Sequence, residues 1–161
     1  MIVIKRAATS ITRNRESIIR KICVRKYSET MNFTLAAANK VFYDSANIRQ
    51  VDVPSFSGSF GILPMHVPTL AILLSGIVTV IESDGSLKQI FVSSGTVTIN
   101  QDASVQVLAE EAHPIEDLDT SRCREIMLNA QNQLSVAVGQ QEVAKAEIVL
   151  EVAEALVRAA E

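Results

Sequence analysis

The chain has 161 residues, 48% hydrophobic and 20% charged, with a net charge of −3. This supports one or two small domains. The net charge conceals a split: residues 1–27 hold eight Lys/Arg against Glu16, a balance of +7, while the other 134 residues hold seven basic and 17 acidic side chains, a balance of −10. A body this acidic has no positive stripe for phosphates, which excludes nucleic acid as a natural partner.

Residues 1–27 read as a mitochondrial presequence: rich in Arg, bearing Ser and Thr, poor in acids, with Ile11, Ile18, Ile19 and Ile22 spaced among the cations. "VRKYSET" fits a processing site with cleavage after Tyr27. A secretory signal needs an uninterrupted apolar core, and residues 1–30 have none. The competing reading, a basic arm for nucleic acid, lacks aromatics for stacking. Cys23 leaves with the leader, so Cys123 is expected to stay an unpaired thiol, as suits a reducing compartment.

From Phe33 to Ala109 the apolar period is two. Val51 and Val53 alternate with polar neighbours in "RQVDVP". "GIVTVIESDGSLKQIFVSS" is two apolar runs joined at Asp84-Gly85, a dipeptide suited to a hairpin turn with positive φ. Val97 and Ile99, then Ala103, Val105 and Val107, repeat the alternation. Several short strands at close spacing predict a sandwich or flattened barrel over 28–113. The most apolar window, "VPTLAILLSGIVTVI", is too short to span a bilayer and contains Pro68 and Gly76.

After "EEAHPIED" the period changes. Pro114 is expected to end the last strand because it donates no ladder hydrogen bond. Asp119 is placed as an N-cap. Cys123, Ile126, Met127, Ala130, Leu134 and Val138 form one helical stripe, and Gly139 is expected to cap that helix at its C-terminus. A second helix is predicted from near Glu142, with Val143, Ala146, Val149 or Leu150, Ala153, Leu156 and Ala160 as its stripe. All seven Phe and Tyr lie at or before Phe91, so the helices must pack through Ala, Val and Leu. An antiparallel hairpin over 114–161 follows, too small to stand without a second wall. The fold class is segregated α+β.

Catalytic constellations are hard to build from these residues. Adjacent strand residues face opposite ways, so Glu110 and Glu111 cannot converge as an acid–base pair. Ser93-Ser94-Gly95 lacks the nucleophile-elbow pattern and reads as a turn. His66 is read as a structural histidine bonding backbone, and His113, before Pro114, as a solvated loop residue. Two histidines and one cysteine match no zinc spacing, and no phosphate-loop motif occurs. Asp119 and Arg122 in "LDTSRCREIM" have two readings, an ordinary helix cap with a local ion pair or a nucleotide contact. The absence of glycine-rich backbone favours the cap.

The stretch "RQVDVPSFSGSFGILPMHVP", followed by "FVSSG" and "VLAEEA", closely resembles the small central-stalk subunit of F-type ATP synthases, called delta in mitochondria and epsilon in bacteria and chloroplasts. The resemblance covers about residues 33–112, and the presequence favours the mitochondrial form. It implies a β-sandwich foot with a helical hairpin, and a non-catalytic rotor part with no cofactor or metal. The implied partners are the gamma subunit, the membrane ring of c subunits and a very small mitochondrial subunit named epsilon. The implied place is the matrix side of the mitochondrial inner membrane, reached only through the ring.

The resemblance also assigns Gly58–Pro68 to the interface with the ring's polar loops and gamma. In this reading Gly58 and Gly61 permit close approach or positive φ, Ser59 and Phe60 sit at the contact, and Ile62 and Leu63 anchor the loop to the core. Pro64 and Pro68 stiffen it around His66. Three departures stand out. Ser59 occupies a position where many bacterial relatives carry Glu. Ser75-Gly76 replaces Pro-Gly. In the partial nucleotide motif, Leu118, Asp119 and Arg122 match, Cys123 replaces Ala, and Arg124 is the only other arginine of that helix. The alternative reading is a soluble regulatory protein sensing ATP through Asp119 and Arg122.

Overall fold

A computed structural model describes residues 29–161. The expected presequence 1–27, its cleavage after Tyr27 and the loss of Cys23 lie outside the described residues.

Among the described residues nine strands come first: β1 (Met31–Ala37), β2 (Val41–Ser55), β3 (Gly58–Ile62), β4 (Thr69–Leu73), β5 (Gly76–Glu82), β6 (Leu87–Val92), β7 (Gly95–Ile99), β8 (Val105–Ala109) and β9 (Ala112–Pro114). The period-two reading holds residue by residue in β8, where Val105, Val107 and Ala109 are buried and Gln106 and Leu108 exposed. The hairpin at Asp84-Gly85 is present as a three-residue loop. Glu82 and Ser86 face each other across it, and Gly85 takes φ 90°. The Asp84 carboxylate accepts the Ser86 N–H at 2.8 Å.

β2, at 15 residues, organises the layers. Along one edge it pairs first with β1 (Met31↔Ile48) and then with β3 (Val53↔Phe60). Along the other it pairs with β5 (Val51↔Val80). β1 is parallel to β8, and β8, β7 and β4 follow as antiparallel neighbours. β4 returns to β2 at Ser55↔Leu73, closing a flattened barrel from which β5, β6 and β9 extend. One core fills the interior, built on Phe33, Leu35, Ile48, Ile62, Leu73 and the valines of β2, β5, β7 and β8.

Two expectations at the end of the sheet are corrected. Glu110 and Glu111, taken above as strand residues, form the turn between β8 and β9, and His113 lies in β9 rather than in a loop, paired with Phe91, though exposed. Pro114 does end that strand.

A 3-10 turn (Ile115–Asp117) leads to α1 (Thr120–Val136) and α2 (Gln140–Ala160). Asp119 caps α1, accepting from the N–H groups of Ser121 (2.8 Å) and Arg122 (3.4 Å). The helices are antiparallel, because the start of α1 meets the end of α2: Thr120 Oγ1 donates to the Ala160 carbonyl at 3.0 Å, and Arg124 pairs with Glu161 at 2.9 Å. Gly139 does not cap α1, which ends at Val136 with Ala137 as its C-cap residue. It stands at φ 102° as the N-cap residue of α2, which starts two residues before Glu142.

The helical stripes hold only in part. Cys123 and Ala130 of α1 are buried, but Ile126 lies on the exposed side and Val138 is 82% exposed in the interhelical loop. In α2, Leu150 rather than Val149 turns inward. A second face of α2 carries Ala155 and Ala159 onto Phe91, with Ile77, Leu118 and Leu156 around them. These alanines let the helix backbone approach the sheet closely.

Candidate functional site

The segment singled out from sequence, Gly58–Pro68, is half strand and half loop. Gly58–Ile62 is β3, and the true loop is Leu63–Pro68. The hairpin feeding it turns at Phe56-Ser57, where Gly58 has φ 114°. Ser55 Oγ donates to the Gly58 carbonyl at 2.7 Å and locks the turn from inside.

Ile62 anchors the segment, fully buried opposite Val51. Leu63 does not share that role, being 55% exposed. Strand alternation explains the correction: with Ile62 inward, its neighbour faces out. Gly61 does not use positive φ. A Cβ there would lie 2.6 Å from Asp52 Oδ1, which already accepts from Gln50 Nε2 at 2.7 Å, so Gly61 leaves room for a side-chain pair on β2.

Pro64 and Met65 form the centre of a turn closed by the His66 N–H donating to the Leu63 carbonyl at 3.2 Å. His66 Nδ1 donates to the Val67 carbonyl at 2.9 Å, since a carbonyl only accepts. Thr69 Oγ1 donates to the same carbonyl at 3.0 Å. The Phe60 and His66 rings lie 6.3 Å apart, tilted. The imidazole thus holds the loop's own backbone, and Pro68 delivers the chain into β4.

Ser59 is exposed and lines a shallow groove with Pro54, Ser75, Gly76 and, from α2, Ala155 and Arg158. The groove sets Ser59 beside the helical hairpin as well as at the tip of the β2–β3 hairpin.

The structure adds residues to the segment. Met65, Val67, Leu70 and Ile72 are all exposed, and Phe56 stands out at the hairpin tip. The stretch Phe56–Ile81 contains no Asp, Glu, Lys or Arg. The result is an uncharged apolar surface running from the loop onto the outer face of β4. A sequence signal for it existed: "TLAILL" is apolar at both strand parities, so an antiparallel strand there must leave apolar side chains uncovered on one face.

The other candidates organise differently. The Asp119 carboxylate is occupied by its cap, Arg122 is exposed, and Arg124 is turned to Glu161, so the three do not surround a common space. Burial, with Asp119 adding to it, pushes the Cys123 thiol up. On the far side of the sandwich, Tyr43 Oη donates to Glu82 Oε1 at 3.0 Å, and Lys88 Nζ lies 2.7 Å from the same oxygen. The Lys88 ammonium, then the Tyr43 hydroxyl, hold the Glu82 carboxyl below its usual range. Burial, then Glu82, push the Tyr43 phenol up. This cluster ties β2 to β5 and β6. Among the described residues, no group of three or more His, Cys, Asp or Glu is placed to hold a metal ion. No described helix is long and apolar enough to cross a membrane.

Residues 30–115 match the family model for the β-sandwich domain of the ATP synthase delta/epsilon chain. "ATP synthase subunit delta, mitochondrial" of Caenorhabditis elegans is 41% identical over 132 residues, covering 82% of this chain and 80% of the relative. The protein of the same name from Yarrowia lipolytica is 37% identical over 141 residues, covering 84% and 86%. The fold recurs, at 22% identity and a TM-score of 0.76, in a chain of the Euglena gracilis mitochondrial ATP synthase OSCP/F1/c-ring structure, with 87% of each chain covered. A central stalk/c-ring structure of the Tetrahymena thermophila enzyme holds another such chain, with a TM-score of 0.64. The resemblance read from residues 33–112 therefore stands, and this chain belongs to the ATP synthase delta/epsilon family, alongside the mitochondrial delta subunits.

Proposed function

We propose that the chain is a non-catalytic central-stalk subunit of a mitochondrial proton-translocating ATP synthase, linking gamma to the c-ring so that proton flow drives ATP synthesis. The observation that carries this reading is the uncharged apolar surface from Phe56 to Ile72, mounted on a loop fixed by Pro64, Pro68 and the His66–Val67 hydrogen bond. A rotor coupling transmits torque through shape and stiffness. Restricting φ at the prolines lowers the number of states the loop can visit under load. Its working residues are Gly58, Ser59, Phe60, Gly61, Ile62, Leu63, Pro64, His66 and Pro68, with Ile62 acting from inside the core. In this reading the β2–β3 tip around Ser59 faces the ring, and the apolar loop and β4 face gamma. The small mitochondrial epsilon subunit completes the assembly. The subunit sits on the matrix side of the inner membrane and touches the membrane only through the ring.

In this reading the chain divides into three units: a presequence at 1–27 removed after Tyr27, and the sandwich at 28–113 and hairpin at 114–161 that carry the role. The engagement of Asp119 and Arg124 with the helix cap and Glu161 supports a structural part for them rather than ATP sensing. Pull-down of the mature chain from detergent-solubilised mitochondria, with partners identified by mass spectrometry, tests the reading. Gamma and the c-ring are expected. Saturable ATP binding by the isolated chain, with neither partner recovered, overturns it.

A further inference from the structure

The two edges of β6 are covered unequally. β5 pairs with its whole length, from Leu87↔Ile81 to Val92↔Gly76, while β9 reaches only Ile90, Phe91 and Val92 on the other edge. Pro114 ends β9 opposite Ile90, and the chain turns away at Ile115 into the 3-10 turn. The edge of β6 from Leu87 to Gln89 is left without a partner strand.

A cleft of about 360 Å³ opens against that edge, within the range of small-molecule sites. It shares no residue with Gly58–Pro68 or with the outer face of β4. Its walls are apolar: Phe42, Leu87, Ile90, Pro114 and Ile115, with Tyr43 beside them. Leu87 is 59% exposed and Phe42 only half-buried, so apolar area stands uncovered there.

Two charged side chains line the cleft, Lys88 and Glu116, and only one of them is free. Lys88 Nζ is held by Glu82 at 2.7 Å, and the Tyr43 hydroxyl donates to the same oxygen at 3.0 Å. Glu116 is exposed, and its carboxylate has no hydrogen bond or ion pair among the described residues. The uncompensated charge at the cleft is therefore negative. The aromatic walls have the same preference, because ring faces attract cations. Lys88 Nζ lies 5.8 Å from the Tyr43 ring centroid, and Lys40 Nζ lies 5.4 Å from that of Phe42. An unpaired strand edge adds carbonyl acceptors for an N–H donor.

We propose that this cleft is a binding site for a small organic cation, an ammonium group on an apolar or aromatic body. The body lies against Phe42, Leu87 and Ile115, and Glu116 pairs with the ammonium. The site is separate from the stalk segment and stands or falls independently of the stalk reading.

An amide NMR titration of the mature chain with three probes of similar shape tests the site: phenethylamine, a cation at neutral pH, phenethyl alcohol and phenylacetate. Phenethylamine is expected to move the Gln89, Ile115 and Glu116 amides and to saturate in the millimolar range. The alcohol should bind about threefold more weakly, as suits one exposed ion pair, and phenylacetate should leave those amides in place. Glu116→Gln should bring the amine down to the affinity of the alcohol and leave the alcohol unchanged, a split that a merely structural role for Glu116 would not produce. Leu87→Ser should weaken amine and alcohol alike, several-fold. Both side chains are exposed, so each variant is expected to keep the wild-type fold. Shifts that scatter over the acidic helix faces without saturating, an amine preference that survives Glu116→Gln, or no shift at the three amides overturns the proposal. If a variant does not fold, the wild-type ranking decides: any order other than amine, alcohol, phenylacetate overturns it.

Discussion

In the sandwich the fully buried large side chains are Phe33, Leu35, Ile48, Ile62, Leu73 and a set of valines; in the helical hairpin the buried side chains are Cys123, Ala130, Ala146, Ala153, Ala155 and Ala159. The sandwich surrounds large side chains from both layers. The hairpin brings two helices together over methyl groups and leaves Val136, Val138 and Ile148 in solvent. Burial stabilises roughly in proportion to apolar area, so an alanine seam contributes far less per residue than a Phe/Leu/Val core. Close approach also makes the hairpin dependent on a second wall, and Phe91 with Ile77 provides part of one. One region is self-sufficient, and the other is held by what it leans on.

The largest effect that would sharpen this contrast lies at Gly95. A Cβ there would collide with the Leu108 carbonyl oxygen and lie 2.8 Å from the Ala109 Cα, both rigid backbone of β8. Gly95→Ala is expected to cost about 3 kcal/mol, because strands β7 and β8 must separate. Denaturant unfolding followed by far-ultraviolet circular dichroism checks it. A stability within 1 kcal/mol of wild type would mean the sheet is looser than this geometry allows.

Leu134→Asp acts on the other region. It places a carboxylate in the half-buried seam between the helices. We expect local loss of about 2 kcal/mol or more, with the helical signal melting early. The strand signal should persist at its wild-type midpoint. Coincident loss of both signals would break the comparison and make the two regions one cooperative unit.

Ser59→Lys tests the shared groove at a smaller scale. Surface changes usually alter stability by about 0.5 kcal/mol or less, so the purified subunit should melt nearly as wild type. The new ammonium would stand near Arg158 and, in the stalk reading, against the ring. ATP synthesis in submitochondrial particles should fall while hydrolysis by the detached catalytic head continues. Normal synthesis in fully assembled particles would remove Ser59 from the interface.

Glu82 gives the smallest effect and the clearest pH sign. Its carboxyl is held below the usual value by Lys88 and Tyr43, so its stabilisation is present above the unfolded value of 4.5 and lost as pH falls through the lower folded value. The pair is near the surface, which limits the effect to about 0.5 kcal/mol. Glu82→Gln should lower stability by that amount at neutral pH and flatten the acid limb of the stability profile. An unchanged acid limb would show that other carboxylates set it.

Where the cause is local, the sequence alone determined the result. Alternation at Val97–Ile99 and Val105–Val107 specifies strands because side chains two apart share a face. Asp84-Gly85 turns because Gly85 adopts φ 90° freely, and Asp119 caps because its carboxylate reaches the N–H groups two and three residues on. Asp119 was thus legible as a cap, and Gly58–Pro68 as an unusually stiff segment. What covers each face was decided by tertiary structure. Val41–Arg49 joined Val51 and Val53 in one long strand only because β1 and β5 pair with its two edges. Leu63 turned outward because Ile62 took the inward place, and Gly61 proved to serve the Gln50–Asp52 pair across the ladder. Val138 lost its seam when α1 stopped at Val136, while Ala155 and Ala159 gained one from Phe91, more than 60 residues away. Periodicity records which side chains share a face. Whether that face meets a core, a second layer or solvent depends on strands and helices distant in the chain, and only their packing settles it.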